Sequence, residues 1–203
     1  MSRVYIHRIT HIENIPHILL YGITNETSRN ANPNFKSIGD STLISKRNDF
    51  ILENGRQLGN YIPFYFGRRM PMLFVIQRGY NGVPITNAED IVYCVSSVQK
   101  IIDAQLEFVF TDGHATDKLS KQYNTAYVNN IETIIDKQAL DEKYWGGENN
   151  LDIKRKKQAE FLVLGDIPIS AVISYYVYNK TAQQKMKSFG VDKEIIIKPE
   201  FYF

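Results

Sequence analysis

The order of apolar and polar positions along the chain predicts more strands than helices. Apolar runs of strand length occupy residues 4–9, 61–66, 72–76, 91–95, 107–110, 161–164, 174–178 and 194–198. Apolar residues at helical spacing predict helices that end at Gly22 and Gly190, and a short helix that follows Ser96. A weaker helical periodicity runs through residues 123–144. Because the strands and helices do not alternate regularly, the pattern predicts a mixed α+β fold.

Two stretches depart from this pattern. Residues 24–59 are polar, rich in Asn, Ser, Gly and Asp, and longer than most connections in compact domains. Such long loops are usually functional lids or disordered, and Arg47 is the candidate residue here, with a solvated arginine on a short helix as the alternative. Pro63 lies inside the aromatic run 61–66. Because proline has no N–H, this run is expected to form an edge or irregular strand.

Length and composition indicate one globular domain over residues 1–203. The chain is 43% hydrophobic and 23% charged, which does not favour disorder. Its start lacks the apolar stretch of a signal peptide, and no run reaches transmembrane length, so we expect a cytoplasmic protein without a membrane partner. The one cysteine, Cys94, lies in an apolar run and is expected in the core.

The net charge of +2 implies that a nucleic-acid partner would be bound by a local patch. Two basic clusters qualify, at residues 68–69 and 154–157, although each is equally typical of a solvated face. The chain also carries 13 Tyr and 11 Phe residues, which could stack on bases as well as fill a core.

Histidines suggest two further kinds of site. His7, His11 and His17 are close in sequence, but a zinc site needs ligands that converge, and His7 falls in a predicted strand while His11 follows it. We therefore expect no metal. His114 follows Asp112 in a loop that begins at a strand end, which is compatible with a hydrolase but more typical of a structural turn.

Glu160 directly precedes the apolar run 161–164. Two residues separate it from the four consecutive cations at 154–157. A carboxylate at the start of a core strand loses hydration, so it is retained where a partner or a chemical step requires it. The alternative is a surface glutamate that pairs with the neighbouring Lys and Arg side chains.

Five segments in order resemble the DarT family, DNA ADP-ribosyltransferase toxins of bacterial toxin–antitoxin systems. They are residues 7–16, 38–47, 61–66 with 71–73, 108–115 and 157–160. The resemblance implies an ADP-ribosyltransferase-like fold, in which a split β-sheet core with flanking helices holds NAD+ in a cleft. It also implies that NAD+ is a co-substrate.

The same resemblance assigns roles to residues. Glu160 corresponds to the catalytic glutamate and Arg47 to a loop arginine near the transferred group, so both are predicted to be catalytic. Whether His7 or Arg8 makes the NAD+ contact of the first strand is left open. The predicted NAD+-binding residues are His7, Arg8, Thr10, Asn14, Tyr61 and Tyr65. The predicted DNA-binding residues are His114, from the resemblance, and Arg69, Lys154 and Arg155, from the two basic clusters.

The resemblance further implies a target and a partner. The target is a base in single-stranded DNA, thymidine first, within a short sequence context. The partner is a macrodomain antitoxin of the DarG type, and the toxin is expected to be monomeric. The alternatives are guanine as the acceptor base, RNA or protein as the acceptor, and a non-catalytic module that binds single strands.

Overall fold

The computed structural model describes residues 3–203, so Met1 and Ser2, at the start of the stretch considered for a signal peptide, lie outside the described residues. One sheet takes its strands in the order β5-β4-β6-β2-β1-β3-β7-β8, with β7 and β8 parallel and the other neighbours antiparallel. The strands are β1 Tyr5–His11, β2 Tyr61–Tyr65, β3 Ile91–Ser97, β4 Phe108–Thr111, β5 Gln122–Tyr123, β6 Glu160–Leu164, β7 Ser174–Val177 and β8 Glu194–Ile197. The helices are α1 Ile15–Tyr21, α2 Ser41–Asn48, α3 Pro71–Arg78, α4 Val98–Asp103, α5 Ile131–Ile134, α6 Lys137–Asp141, α7 Leu151–Lys156 and α8 Lys180–Ser188.

The sheet is split between β1 and β2. Strand β1 pairs with β3 from Tyr5 to His11, along its whole length. It meets β2 at a single register position, where His7 lies opposite Tyr65. Within residues 3–203, no further register pair joins these two strands. The predicted α+β architecture with a split sheet is therefore confirmed.

Pro63 lies at this split. Its strand was expected to be an edge or irregular strand. The edge position is wrong, because β2 lies between β6 and β1, but the pairing of β2 with β1 is irregular and limited to one register position. The physical reason is that β1 makes no register pair with Pro63, so the missing N–H leaves no ladder bond broken on that side. The guanidinium of Arg8 takes the place of a backbone donor there, since its Nη1 donates to the Pro63 carbonyl at 3.1 Å.

One predicted strand, residues 72–76, is instead the helix α3. Pro71 occupies its first turn, where the missing N–H has no partner to lose. Leu73 and Ile76 are three residues apart and both are buried, as expected for one face of a helix. A five-residue apolar run does not distinguish the two structures by itself. The periodicity of residues 123–144 likewise corresponds to short helices rather than one long one.

The core lies on both faces of the sheet. Phe64, Phe110 and Phe161 pack on one face, while Tyr65 and Tyr93 pack on the other. Cys94 is fully buried, and burial raises the pKa of its thiol to about 12, which is typical of an inert core cysteine. None of the helices between residues 3 and 203 combines the length and apolar character needed to cross a membrane.

Candidate active site

The strand register places three predicted site residues in one row across the sheet. His7 pairs with Tyr65, and Tyr65 pairs with Glu160 on β6. Directly paired residues point to the same face, so the three side chains share one face of the sheet. With strands about 4.8 Å apart, the backbones of His7 and Glu160 are separated by roughly 10 Å. This row crosses the sheet at the position where the split begins.

Glu160 is fully buried and is held by three donors. Its Oε1 accepts from the Ala115 backbone N–H at 2.9 Å and from Nη1 of Arg47 at 3.0 Å, and its Oε2 accepts from Nη2 of Arg47. Two of the three donors belong to a guanidinium that stays charged and matches the planar fork of a carboxylate. Among residues 3–203 its ion-pair partner is Arg47 and not one of the cations at 154–157, so the alternative of a surface glutamate is wrong.

Arg47 reaches this carboxylate from the helix α2. Asp40 caps the start of this helix, since its Oδ1 accepts from the N–H groups of Thr42 and Leu43. None of the residues of α2 is buried. The side chain of Arg47 is only 18% exposed, because it points inward to Glu160. Burial acts to lower the pKa of Arg47, but the adjacent Glu160 carboxylate outweighs this and raises it. The long polar loop is therefore attached to the sheet through its candidate residue.

The loop after β4 supplies the third donor to Glu160. Thr111 Oγ1 accepts from the Glu160 backbone N–H at 3.3 Å and donates to the Gly113 carbonyl at 2.6 Å. These bonds fix the turn that brings Ala115 to the carboxylate. Every residue except proline has a backbone N–H, so the residue type at position 115 does not indicate that this group is a donor to Glu160. The sequence analysis therefore missed Ala115. The available signal was the Thr-Asp-Gly turn at the end of a strand.

His114 lies beside the Arg47–Glu160 pair on the same loop. Burial lowers the pKa of its imidazole, and its Nδ1 lies 2.9 Å from the Thr116 hydroxyl. Asp112 accepts instead from Nη1 of Arg155 at 3.1 Å. Asp112 and His114 thus have separate partners, which removes the geometric basis for a hydrolase built on that pair.

His7 carries an unsatisfied nitrogen at the split. Its ring is 8% exposed and packs among the rings of Tyr93, Tyr176 and Phe201. Burial lowers the pKa of His7 to about 4, so the ring is neutral at pH 7. Its buried Nδ1 has no hydrogen-bond partner within the described part of the chain. A buried ring nitrogen without a hydrogen-bond partner can form a hydrogen bond to a bound ligand.

Thr10 and Asn14 hold the long loop and do not lie in the row. The Asn14 amide donates to Thr10 Oγ1 at 3.0 Å and to the Lys36 carbonyl at 2.9 Å, and it accepts from the Lys36 N–H at 2.9 Å. Tyr61 lies four residues from Tyr65 along β2, in a separate cluster under residues 49–60. Its hydroxyl accepts from the Asn54 amide at 2.9 Å.

The predicted DNA-binding cations have different surroundings. Lys154 is exposed on α7, whereas the side chain of Arg155 is only 9% exposed and paired with Asp112 and Asp152. Arg69 lies 4.4 Å from the ring centre of Phe203, and its buried Nε has no partner among residues 3–203. The basic run at 154–157 is therefore not a uniform basic surface.

The second buried member of that run is Lys157. Its Nζ donates to the Leu140 carbonyl at 2.6 Å and lies 5.3 Å from the Trp145 ring centre, and burial lowers its pKa to about 8. In residues 3–203, no three His, Cys, Asp or Glu side chains are grouped in a way that could hold a metal ion.

Comparisons with known proteins agree with this geometry. The family model described as "ssDNA thymidine ADP-ribosyltransferase, DarT" matches residues 7–203. A DNA ADP-ribosyl transferase of Thermus aquaticus is 33% identical over 190 residues, which cover 90% of this chain and 79% of that protein. A Thermosipho africanus fusion protein of a DNA ADP-ribosyl transferase with a DNA ADP-ribosyl glycohydrolase is 27% identical over 96% of this chain and 48% of its own length.

Solved structures are similar over the whole chain. Thermus sp. 2.9 DarT in complex with ADP-ribosylated ssDNA is 28% identical, with a TM-score of 0.83 and coverage of 98% of this chain and 96% of that one. The same protein in complex with NAD+ is 27% identical, with a TM-score of 0.80 and coverage of 100% and 99%. The family, the ADP-ribosyltransferase-like fold and the NAD+-dependent enzyme class predicted from the sequence are confirmed. The chain belongs to the DarT family of single-stranded DNA thymidine ADP-ribosyltransferases.

Proposed function

We propose that this chain, as one domain over residues 1–203, transfers ADP-ribose from NAD+ to the thymine base of single-stranded DNA in a sequence-dependent way. The observation that carries the proposal is the buried Glu160 at the split of the sheet, held by Arg47 and the Ala115 N–H. Solved relatives in complex with NAD+ and with ADP-ribosylated ssDNA support the same assignment.

The proposed reaction uses the carboxylate twice. When the bond between nicotinamide and the ribose anomeric carbon breaks, nicotinamide leaves as a neutral molecule and the ribose takes on oxocarbenium character. A fixed negative charge stabilises that transition state. The ring nitrogen of thymine then bonds to the anomeric carbon and loses its proton, for which Glu160 is the proposed base. The balance is NAD+ plus thymidine giving ADP-ribosyl-thymidine, nicotinamide and one proton.

Arg47 is proposed to act with Glu160 throughout. Its guanidinium remains charged in every step, so it can hold the carboxylate in place and also interact with a phosphate of NAD+ or with the acceptor base. In the pair described above, Oε1 of Glu160 accepts from both Arg47 and Ala115, whereas Oε2 accepts, among residues 3–203, only from Arg47. Oε2 therefore keeps acceptor capacity for a hydroxyl group of the substrate.

The NAD+-binding residues are proposed in two groups. His7, through its unsatisfied Nδ1, and Tyr65 belong to the row that contains Glu160, and Arg8 lies at the split beside them. Thr10 and Asn14 are proposed to act by holding the loop that covers the site. Tyr61 is proposed only as part of the wall beneath that loop.

The DNA-binding surface is proposed from exposure and position. Lys154 is the exposed cation of α7, and His114 lies beside the catalytic pair, where an acceptor base would approach. Nε of Arg69 has no hydrogen-bond partner within residues 3–203, and its guanidinium lies over the ring of Phe203. Arg69 is therefore proposed to contact a nucleotide. Arg155 belongs to this set as a member of the basic cluster 154–157, but its contacts point to a different role, which is argued below.

The biological setting proposed is that of a monomeric, cytoplasmic toxin with a macrodomain antitoxin that removes the modification. The fusion of a related transferase with a glycohydrolase in Thermosipho africanus supports a paired activity of this kind. Guanine is the alternative acceptor within the same chemistry.

The test is intact mass of short single-stranded oligonucleotides after incubation with the protein and NAD+. Four oligonucleotides of equal length, each made without one of the four base types, identify the acceptor base. A second panel, in which the sequence around that base varies, identifies the sequence context. Glu160→Gln is compared with Glu107→Gln, which changes a half-exposed carboxylate paired with Arg56. We expect one added ADP-ribose per acceptor thymine with the wild type and Glu107→Gln, and none with Glu160→Gln. NAD+ consumption without a heavier oligonucleotide would reject DNA as the acceptor. If NAD+ is not consumed and no oligonucleotide gains mass, the protein is a non-catalytic module that binds single strands.

A further inference from the structure

Arg155 is held by the protein on all sides. Its Nη1 donates to Asp112 Oδ1 at 3.1 Å and to Ser120 Oγ at 3.3 Å. Its Nε and Nη2 donate to Asp152 Oδ1 at 3.0 Å and 2.8 Å. With a side chain that is 9% exposed, this arginine has little surface left for a phosphate group. Its donors instead link α7 to both ends of the loop at residues 112–120.

The backbone of Arg155 holds the same loop. Its carbonyl accepts from the His114 N–H and from the Gln158 N–H, each at 3.1 Å. Gly113 packs directly against the guanidinium, since a Cβ added there would lie 2.6 Å from Arg155 Nη1 and 2.6 Å from Ser120 Oγ. Ala115, the donor to Glu160, is two residues further along. Side-chain and backbone contacts of one residue therefore fix the turn that carries this donor.

We propose that Arg155 is a positioning residue for the transferase reaction, which holds the loop after β4 so that the Ala115 N–H is aimed at Oε1 of Glu160. This inference rests on the proposed function for its catalytic consequence. Losing Arg155 lets the loop move away from the carboxylate, and displacement of a catalytic group by about 1 Å can lower a rate roughly 100-fold. The effect should fall on the chemical step and not on DNA affinity.

A direct contact between Arg155 and a DNA phosphate predicts the opposite pattern. Loss of a phosphate contact raises the KM for the oligonucleotide, makes it less sensitive to salt and leaves kcat unchanged at saturation. Loss of a positioning contact lowers kcat with little change in that KM or in its salt dependence. The two roles are therefore separable in one set of measurements.

The experiment compares wild type with Arg155→Gln, Arg155→Lys and Gly113→Ala. Arg56→Gln is the control, because it removes an arginine from a half-exposed ion pair with Glu107. For each protein, kcat and the KM for a thymine-containing oligonucleotide are measured at several salt concentrations. We expect kcat to fall roughly tenfold to 100-fold in Arg155→Gln and Gly113→Ala. A smaller loss is expected in Arg155→Lys, which keeps the charge but not the forked geometry.

A second readout does not depend on activity. The Ala115 amide proton is hydrogen-bonded to a buried carboxylate, so its exchange with solvent should be at least tenfold faster in Arg155→Gln and Gly113→Ala than in wild type. Circular dichroism confirms that each variant is folded. Unchanged exchange at Ala115, or a raised KM with unchanged kcat, would overturn the positioning role. A wild-type protein that modifies no oligonucleotide would instead refute the proposed function, while the exchange result would still test the contact.

Discussion

Arg47 and Glu160 lie 113 residues apart in the chain and form a two-point ion pair where an exposed helix meets the sheet. Because α2 has no buried residue, this pair is its principal attachment to the row of site residues. The position of α2 and the accessibility of the carboxylate are therefore linked.

The two partners of this pair are expected to contribute unequally to stability. Glu160 is fully buried, so Arg47→Gln leaves a buried carboxylate with only the Ala115 N–H to hold it. In Glu160→Gln, the long side chain of Arg47 can turn toward water. We expect Arg47→Gln to lower the free energy of unfolding by about 2 kcal/mol and Glu160→Gln by about 1 kcal/mol or less.

Urea unfolding of the two single variants and the double variant measures this asymmetry. The double variant should lose less stability than the sum of the single losses, because the second substitution removes an interaction already broken. Equal losses in the single variants, or simple addition in the double variant, would contradict a coupled buried pair.

Asn14 is expected to control the order of the long loop. Asn14→Ala leaves the N–H and C=O of Lys36 without their partner, and we expect a loss of about 2 kcal/mol in unfolding free energy. Cleavage by trypsin near Lys36 should become faster. Asn34→Ala, at an exposed position in the same loop, serves as the control and should change stability by about 0.5 kcal/mol or less. Protection of Lys36 in both variants would contradict this role.

His7 is expected to make stability depend on pH in the acidic range. Burial lowers its folded-state pKa to about 4 from an ordinary value of 6.5, so between these values the unfolded chain binds the proton and the folded chain does not. The associated stability is present above pH 6.5 and is lost as the pH falls toward 4. For a shift of this size the loss is about 3 kcal/mol.

The measurement is unfolding free energy between pH 7 and pH 4 for wild type and His7→Phe, whose neutral ring suits the aromatic neighbours of His7. Wild type should lose more stability than the variant across this range. Parallel curves would show that His7 does not carry the proton linkage.

The sequence predicts the strands well where apolar runs are flanked by turn residues, as for β3 and β6. It makes Glu160 a candidate because a charge next to a core run is physically unusual, and the family resemblance then assigns it the catalytic role. Arg47 was a candidate through its place in the long polar loop, and the resemblance assigned its catalytic role, since its exposed helix gives no periodic signal. Its pairing with Glu160 depends on tertiary contacts across 113 residues, which no local pattern encodes.

Local patterns failed where tertiary structure decides. The apolar run that became α3 is compatible with either structure until its packing against the sheet is known. Pro63 indicated an edge or irregular strand, and the strand lies inside the sheet, where the split leaves its pairing with β1 irregular. The cations at Arg155 and Lys157 resemble a basic surface in sequence, yet both side chains are enclosed by partners that come from other segments.

Replacing Gly22 by alanine is expected to lower the free energy of unfolding more than the same change at Gly190. Gly22 (φ +79°) and Gly190 (φ +81°) both follow helices in a conformation that disfavours L side chains. A Cβ at Gly22 would lie 2.2 Å from the Ile167 carbonyl oxygen, whereas a Cβ at Gly190 meets nothing within 4 Å. We expect Gly190→Ala to cost about 1 kcal/mol through backbone strain, and Gly22→Ala about 3 kcal/mol or more because the bridge between Ile23 and Ile167 must also shift. Urea unfolding of both variants measures the difference, and equal losses would mean that the strain of the positive φ alone accounts for the effect.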